Sequence, residues 1–150
     1  MHAEPSSHPA VALDIFSRKL LRIQMRKWLP ALIVMGLIFW FSSQPSSNLP
    51  NFDWADKVLK KGGHMLGYAM LSWSYWCALG VRPGRGWLAW LLAILYAMTD
   101  EYHQSFVTGR YPSVWDVFMF DNLGAVISVW LVHIYEEKRL AQFEADRLEA

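Results

Sequence analysis

Residues 86–107 read GWLAWLLAILYAMTDEYHQSFV, an apolar run that passes into a polar segment. The apolar part, Gly86–Thr99, has fourteen residues and would form only about 21 Å of helix at about 1.5 Å per residue. The hydrocarbon core of a membrane is about 30 Å thick and needs a helix of about 20 residues. Continued to Val107, the helix has 22 residues and is long enough to cross. We therefore predict a helix that brings polar side chains to membrane depth, namely Asp100, Glu101, His103 and Gln104.

Three further stretches have the composition of membrane spans: Trp28–Phe41, Met65–Val81 and Val114–Tyr135. Apolar residues make up 54% of the 150-residue chain and charged residues 18%, against about 25% charged residues in soluble domains. This predicts an all-α integral membrane bundle of four transmembrane helices in residues 28–135, with a soluble all-α bundle as the alternative. Residues 1–27 are expected to form a cytoplasmic basic segment, either an amphipathic helix at the inner interface or a disordered tail. Residues 136–150 are expected to form a charged cytoplasmic tail.

The basic residues predict the orientation of the bundle. With both termini in the cytoplasm, ten Lys and Arg residues lie inside and four lie outside. Cytoplasmic segments carry the excess of Lys and Arg in membrane proteins. The first and third loops are therefore expected outside, and the second loop inside.

Charge, cysteine content and motifs exclude several classes of function. A net charge of +1 gives no reason to expect a nucleic-acid partner. The single cysteine, Cys77, excludes a disulfide scaffold and a cysteine-based zinc site. The HExxH and GxSxG motifs and a phosphate-binding loop are absent.

In this topology three helices bring ionisable groups to one level near the outer ends of the spans. Such groups are costly at membrane depth unless they are paired or wet, and by default they indicate function. We predict that His64, Asp100 or Glu101, and Arg110 converge in one outward-opening pocket. The full candidate set is His64, Asp100, Glu101, Gln104, Arg110 and Asp116, with Asp116 at the rim. The alternative is a structural network in which His64, Asp100 and Arg110 satisfy one another.

Helix geometry leaves one position open and orients the second span. Asp121 follows Asp116 by five residues, which separates them by about 140° on an α-helix. Either one of them lies off the pocket, or a π-bulge brings both to one face.

On the second span, Gly63 and Gly67 form a GxxxG pattern on a face of small residues. Trp73 and Trp76 are expected to face lipid.

Six short motifs follow one another along the chain. They are Ser42-Ser43-Gln44-Pro45, Asp56-Lys57 with His64 and Tyr68, Asp100-Glu101-Tyr102-His103-Gln104, Gly109-Arg110, Ser113 with Asp116, and Asn122-Leu123-Gly124-Ala125. In this order they resemble the VanZ-like family of small bacterial membrane proteins, over about residues 38–132. The chain departs from the family pattern at Thr108, where the family has Pro, and in the five-residue spacing from Asp116 to Asp121, where the family has four.

The resemblance implies a multi-pass protein of the bacterial cytoplasmic (inner) membrane with a role in the cell envelope and a link to teicoplanin susceptibility. It brings no established reaction. The first hypothesis is a binding protein whose pocket takes a membrane lipid headgroup, a lipid-linked wall precursor or an amphipathic antibiotic. In it, Arg110 and Lys57 take phosphate, and the carboxylates take amines or hydroxyls. The alternative is an intramembrane enzyme on a lipid-linked substrate, with Glu101 or Asp100 as base and His64 or His103 as acid. A divalent cation on the carboxylates is a variant of it. Cofactors, metal and oligomeric state stay open.

Overall fold

The chain folds into four long helices. The computed structural model describes residues 9–45, 54–110 and 113–149, with side chains described for Arg18 and for residues 22–45, 61–110 and 113–149. The helices are α1 (Pro9–Ser42), α2 (Trp54–Ala78), α3 (Gly86–Gln104) and α4 (Val114–Glu149). Within these described ranges there is no strand, so the all-α prediction is confirmed.

The helices alternate in direction, as contacts between pairs of side chains show. Ser42 and Met35 of α1 contact Asp100 and Tyr96 of α3, so these two helices run parallel. By the same reasoning α2 runs parallel to α4, because Lys61 contacts Asp116 and Trp76 contacts Glu136. Gly67 of α2 faces Ile38 of α1, and Tyr75 of α2 bonds to Met35 nearer the start of α1, so the two pairs are antiparallel. The end of α1, the end of α3 and the starts of α2 and α4 therefore meet at one end of the bundle, which we call the polar end.

Two of the described helices are long and apolar enough to cross a membrane, namely α1 over Arg22–Ser42 and α4 over Val114–Glu149. Much of the apolar surface of α1 faces outward. Leu32, Leu37 and Trp40, for example, are each at least half exposed. A stretch of exposed large apolar side chains is unfavourable in water and favourable in lipid. Helix α1 starts at Pro9, so the described part of the N-terminal segment is helical and continuous with the apolar run.

The third helix runs through the polar segment, as the sequence predicts. Helix α3 ends at Gln104, three residues before the expected end at Val107. The chain closes there in tight turns, in which the amides of Ser105, Phe106 and Val107 bond to carbonyls three residues earlier. Asp100 and Gln104 therefore lie on the last turns of a helix and not in a loop.

Helices α2 and α4 approach each other most closely at Gly124. A Cβ atom at this position would overlap the backbone carbonyl of Met65. Gly63 has no atom within 4 Å of its Cβ position, whereas Gly67 faces Ile38 of α1. The predicted GxxxG pattern is therefore not a packing seam along its length, and the close contact uses Gly124 instead.

The prediction that Trp76 faces lipid is wrong. Trp76 is 2% exposed, whereas Trp73 is 37% exposed. The indole N–H of Trp76 donates to Glu136 Oε1 at 3.2 Å, and its ring packs edge-on against Tyr135. A hydrogen-bond partner for the N–H makes burial of the whole indole favourable.

Helix α4 contains a π-helical turn near its start. Val114–Asp116 is α-helical, Val117–Asp121 is π-helical, and Asn122–Glu149 is again α-helical. A π-turn holds one more residue than an α-turn, because its hydrogen bonds run from residue i to i+5. Of the two alternatives for Asp116 and Asp121, the structure has the π-bulge.

Candidate functional site

The C-terminus of α1 is capped by polar side chains at the polar end. The last four carbonyls of a helix have no partner within it. The Ser43 hydroxyl donates to Phe39 O at 2.7 Å, and Gln44 Nε2 donates to Trp40 O at 3.3 Å. Ser43 Oγ also lies 3.0 Å from His103 Nε2, and the His103 ring stacks on Phe39 with 4.3 Å between centroids. The Ser-Ser-Gln-Pro motif thus ends α1 and fastens it to α3.

Arg110 completes this cap from the loop after α3. Its Nη2 donates to Phe41 O at 2.9 Å, its Nε to Gln44 O at 3.2 Å, and its Nη1 to Gln104 Oε1 at 3.4 Å. The preceding Gly109 has φ +76°, a left-handed conformation that glycine adopts without strain. The Gly109-Arg110 pair therefore combines a sharp change of direction with a planar group that bridges two helix ends.

Asp100 lies at the centre of the contact between α1 and α3 and is 3% exposed. Its Oδ2 accepts the Ser42 hydroxyl at 2.7 Å and Gln104 Nε2 at 3.0 Å. Gln104 in turn accepts from Arg110, so Asp100 is linked to the arginine through an amide and not by an ion pair. Its Oδ1 is buried and has no hydrogen-bond partner among the described residues.

Two ion pairs join α2 to the start of α4. Lys61 Nζ lies 3.1 Å from Asp116 Oδ1, and His64 Nδ1 lies 3.3 Å from Asp121 Oδ1. Lys61 and His64 are three residues apart and share one face of α2. The π-turn therefore presents both aspartates to that face. Side-chain exposure falls from about 40% at the first pair to 26% at His64 and 2% at Asp121, so the polar side chains lead inward.

Glu101 and Asn122 hold backbone and ring groups near the site. Glu101 Oε1 accepts the backbone N–H of Ser113, the residue that precedes α4. A carboxylate at a helix N-terminus is favoured by the helix dipole. Asn122 Oδ1 accepts the indole N–H of Trp90 at 2.8 Å. These two contacts orient the start of α4 against α3.

Tyr68 lies between the two networks and is fully buried. Its ring centroid is 6.1 Å from that of His64 and 6.4 Å from that of Tyr96. Its hydroxyl is within electrostatic reach of both Asp100 and Asp121. The hydroxyl faces Asp100 but completes no hydrogen bond of good geometry among the described residues. We call Tyr68, Asp100 and Asp121 the carboxylate cluster.

The carboxylate cluster holds three buried oxygen atoms with unused hydrogen-bonding capacity. They are Tyr68 Oη, Asp100 Oδ1 and Asp121 Oδ1, the last of which has only its ion-pair contact with His64. Buried polar groups nearly always have partners, and each exception needs an explanation. Leaving such a group unpaired costs about 1–3 kcal/mol, and more if it is charged. No group of three or more metal-ligating residues is present among the residues that the structure describes.

The predicted site residues have different partners at the polar end. His64 and Asp100 lie at the carboxylate cluster, and Gln104 joins Asp100 to Arg110, which caps α1. Glu101 holds the start of α4, and Asp116 pairs with Lys61. In the alternative of a structural network, His64, Asp100 and Arg110 would satisfy one another. In the structure His64 contacts Asp121, and Asp100 reaches Arg110 only through Gln104. The Lys57 side chain lies outside the described residues.

Sequence reasoning named Ser42 and Ser43 only as part of a family motif, gave them no role at the site, and left Asp121 undecided. The serines directly follow an apolar run, where a loop was expected. Nothing in the local sequence therefore indicated that they contact α3. The available signal was their position at the same level as Asp100.

Two of the helices are long and apolar enough to cross a membrane, and ionisable groups are buried where the helices end. These are the features of a small helical membrane protein. The model of the VanZ/LLP1 family matches residues 27–136, and the chain belongs to this family. The match covers slightly less than half of α1, all of α2 and α3, and more than half of α4. Comparison with curated proteins and with solved structures gives no significant match.

Proposed function

We propose that the chain is a four-span protein of the bacterial cytoplasmic membrane, with both termini inside and the polar end outside. The supports are the alternating helix directions and the excess of basic residues on the opposite side. In this arrangement all four helices cross, and the polar segments of α2 and α3 lie in the outer leaflet. Without its polar segment, α3 would be too short to cross the hydrocarbon core, which supports the same placement.

Within this topology the carboxylate cluster is proposed to bind the polar headgroup of a membrane lipid, of a lipid-linked wall precursor or of an amphipathic antibiotic. The single observation that carries this proposal is the set of three buried oxygen atoms with unused capacity. A purely structural network uses the hydrogen-bonding capacity of its buried oxygens, whereas a ligand with suitable donors would take up the capacity left unused here. Through such binding the protein would alter the susceptibility of its host to teicoplanin.

The test measures protection and abundance in the same membranes. Expression of the chain in a teicoplanin-susceptible host should raise the inhibitory concentration, and Asp100→Asn should abolish this at unchanged abundance. The matched control is Asp146→Asn on the exposed tail of α4, which should retain full protection. Parallel loss of abundance and protection in Asp100→Asn would indicate a structural network. A wild-type chain without effect would overturn the link to teicoplanin.

The second candidate is an intramembrane enzyme that acts on a lipid-linked substrate by carboxylate–histidine acid–base chemistry. The contact of His64 with the buried Asp121 favours it, because a carboxylate orients an imidazole and stabilises its protonated form. Ser43 Oγ and His103 Nε2 are also within nucleophile–base distance. However, the Ser43 hydroxyl donates to Phe39 O, so His103 is the donor in that pair and does not activate the serine.

Lipid extracts distinguish the two candidates. An enzyme should change the lipid composition of its host. His64→Gln should lower the rate of that reaction by about a hundredfold or more and so restore the original composition. A binding protein should leave the composition unchanged while the bound lipid co-purifies. A substrate that accumulates in the His64→Gln host would overturn the binding proposal.

A further inference from the structure

The cations around the carboxylate cluster are already engaged. Lys61 pairs with Asp116, and His64 pairs with Asp121. Arg110 donates to oxygens of Phe41, Gln44 and Gln104. Asp100 receives only neutral donors, from Ser42 and Gln104. The described part of the cluster therefore has two carboxylates in contact with one titratable base, His64, and acceptor capacity that no described donor uses.

We propose that the carboxylate cluster binds the primary ammonium group of an amphiphilic ligand. This inference rests on the proposed headgroup site and names the group that the site recognises. An ammonium has three N–H donors and one positive charge. The cluster offers three oxygen atoms, Asp100 Oδ1, Asp121 Oδ1 and Tyr68 Oη, of which two belong to carboxylates. Both the number of donors and the sign of the charge match.

Other headgroups match less well. A phosphate placed between Asp100 and Asp121 would meet like charge in a buried environment, where repulsion is strong. The cations that could neutralise it would have to leave Asp116 or the end of α1. A quaternary ammonium has the correct charge but no N–H donor. A neutral hydroxyl offers one donor for three oxygens.

Polar side chains of α2 and α4 become more buried from the end of the bundle toward the cluster. Lys61 and Asp116 are about 40% exposed, His64 is 26% exposed, and Asp121 is 2% exposed. These side chains lie on successive turns of α2 and α4. An ammonium that enters along them exchanges water for carboxylate contacts step by step, which lowers the cost of its desolvation.

Lipids of identical acyl chains test the proposal directly. The purified full chain in mild detergent is titrated with phosphatidylethanolamine, phosphatidylcholine and phosphatidylglycerol, and bound lipid is counted by native mass spectrometry. These headgroups carry a primary ammonium, a quaternary ammonium and a neutral glycerol on the same phosphate. We expect phosphatidylethanolamine to bind at least about tenfold more tightly than the other two, since charged hydrogen bonds are lost in both.

Variants of the cluster should remove this preference. Tyr68→Phe, Asp100→Asn and Asp121→Asn should each reduce it by about threefold to tenfold. The matched controls are Tyr102→Phe and Asp146→Asn, since both side chains are exposed, and they should retain it. If the aspartate variants fail to accumulate, Tyr68→Phe decides alone, because it removes one hydroxyl and keeps the ring.

A second arm separates a phospholipid from a lipid-linked peptide. An N-acyl lysine amide with a free ε-amine is compared with its ε-acetylated form as competitor of phosphatidylethanolamine. Competition by the free amine alone supports the proposal and indicates a peptide amine if it binds more tightly than the phospholipid. Equal competition by both forms overturns it.

The failures of the two proposals are distinguishable. Equal binding of the three phospholipids to the wild-type chain, lost in Asp100→Asn, overturns the ammonium inference and leaves headgroup binding intact. Binding of no probe above the level of the Asp100→Asn variant overturns both. A preference for phosphatidylethanolamine that survives Tyr68→Phe and Asp121→Asn also overturns the inference, because the ammonium would then lie elsewhere.

Discussion

Arg110 shows how the environment of a residue decides its role. An arginine near four carboxylates was expected to pair with one of them or to bind phosphate. Instead its guanidinium donates to two backbone carbonyls at the end of α1 and to an amide oxygen. The last carbonyls of a helix have no partner within it, and Arg110 with Ser43 and Gln44 satisfies those of α1.

We predict that Arg110→Lys lowers the stability of the detergent-solubilised protein by about 2 kcal/mol, or about 4–8 °C in Tm. A lysine retains the charge but cannot reach three separate acceptors as a planar fork. Thermal unfolding followed by circular dichroism measures the change. Arg139→Lys on the exposed tail of α4 is the control and should leave Tm unchanged. An unaltered Tm in Arg110→Lys would contradict the capping role.

At the scale of the element, Gly124 fixes the distance between α2 and α4. A side chain at 124 would collide with the Met65 carbonyl, which is backbone and cannot rotate away. Gly124→Ala should therefore cost about 3 kcal/mol or more and sharply reduce abundance. Gly63→Ala is the matched control, because it adds a methyl group in open space and should be neutral or stabilise α2 by about 0.5–1 kcal/mol. Abundance and Tm of the two variants measure both effects, and equal values would show that the close approach is absent.

The π-turn of α4 leads to a second prediction at this scale, which concerns single-residue deletions in the helix. Deletion of the exposed Met119 should convert Val117–Asp121 to α-helix and keep Asp116 and Asp121 on the face of α2. Deletion of Ile127, in the α-helical part, should rotate the following residues by about 100° and expose Ser128 and Val132, which are both buried. We expect the first variant to accumulate as the wild type does and the second to be degraded. Comparable loss of both would contradict this role for the π-turn.

These elements also show how far sequence reasoning extends. The helical course of Asp100 and Gln104 followed from the length that a span requires, which is a local property. The face of Asp121 did not follow, because a regular α-helix and a π-bulge differ by one hydrogen-bond register that composition does not encode. The partners of Arg110 and Ser42 lie 58–69 residues away in the chain, and such contacts depend on the packing of whole helices.

At the scale of the whole molecule, the proposed topology predicts which loops face outward. In a Cys77→Ala background, a membrane-impermeant thiol reagent should label Ser47→Cys in intact cells and should label Arg85→Cys only after permeabilisation. The first position lies between α1 and α2 in the sequence, and the second directly precedes α3 at the opposite end of the bundle. The reverse pattern of labelling would place the polar end in the cytoplasm.

The most direct test of the central claim is the Tm of delipidated Tyr68→Phe relative to wild type. If the hydroxyl is reserved for a ligand, it is a buried unpaired group in the free protein. Its removal should then leave Tm unchanged or raise it by about 2–6 °C, while less lipid co-purifies. A Tm several degrees lower than that of the wild type, with undiminished bound lipid, would show that Tyr68 is part of a structural network and would contradict the proposed site.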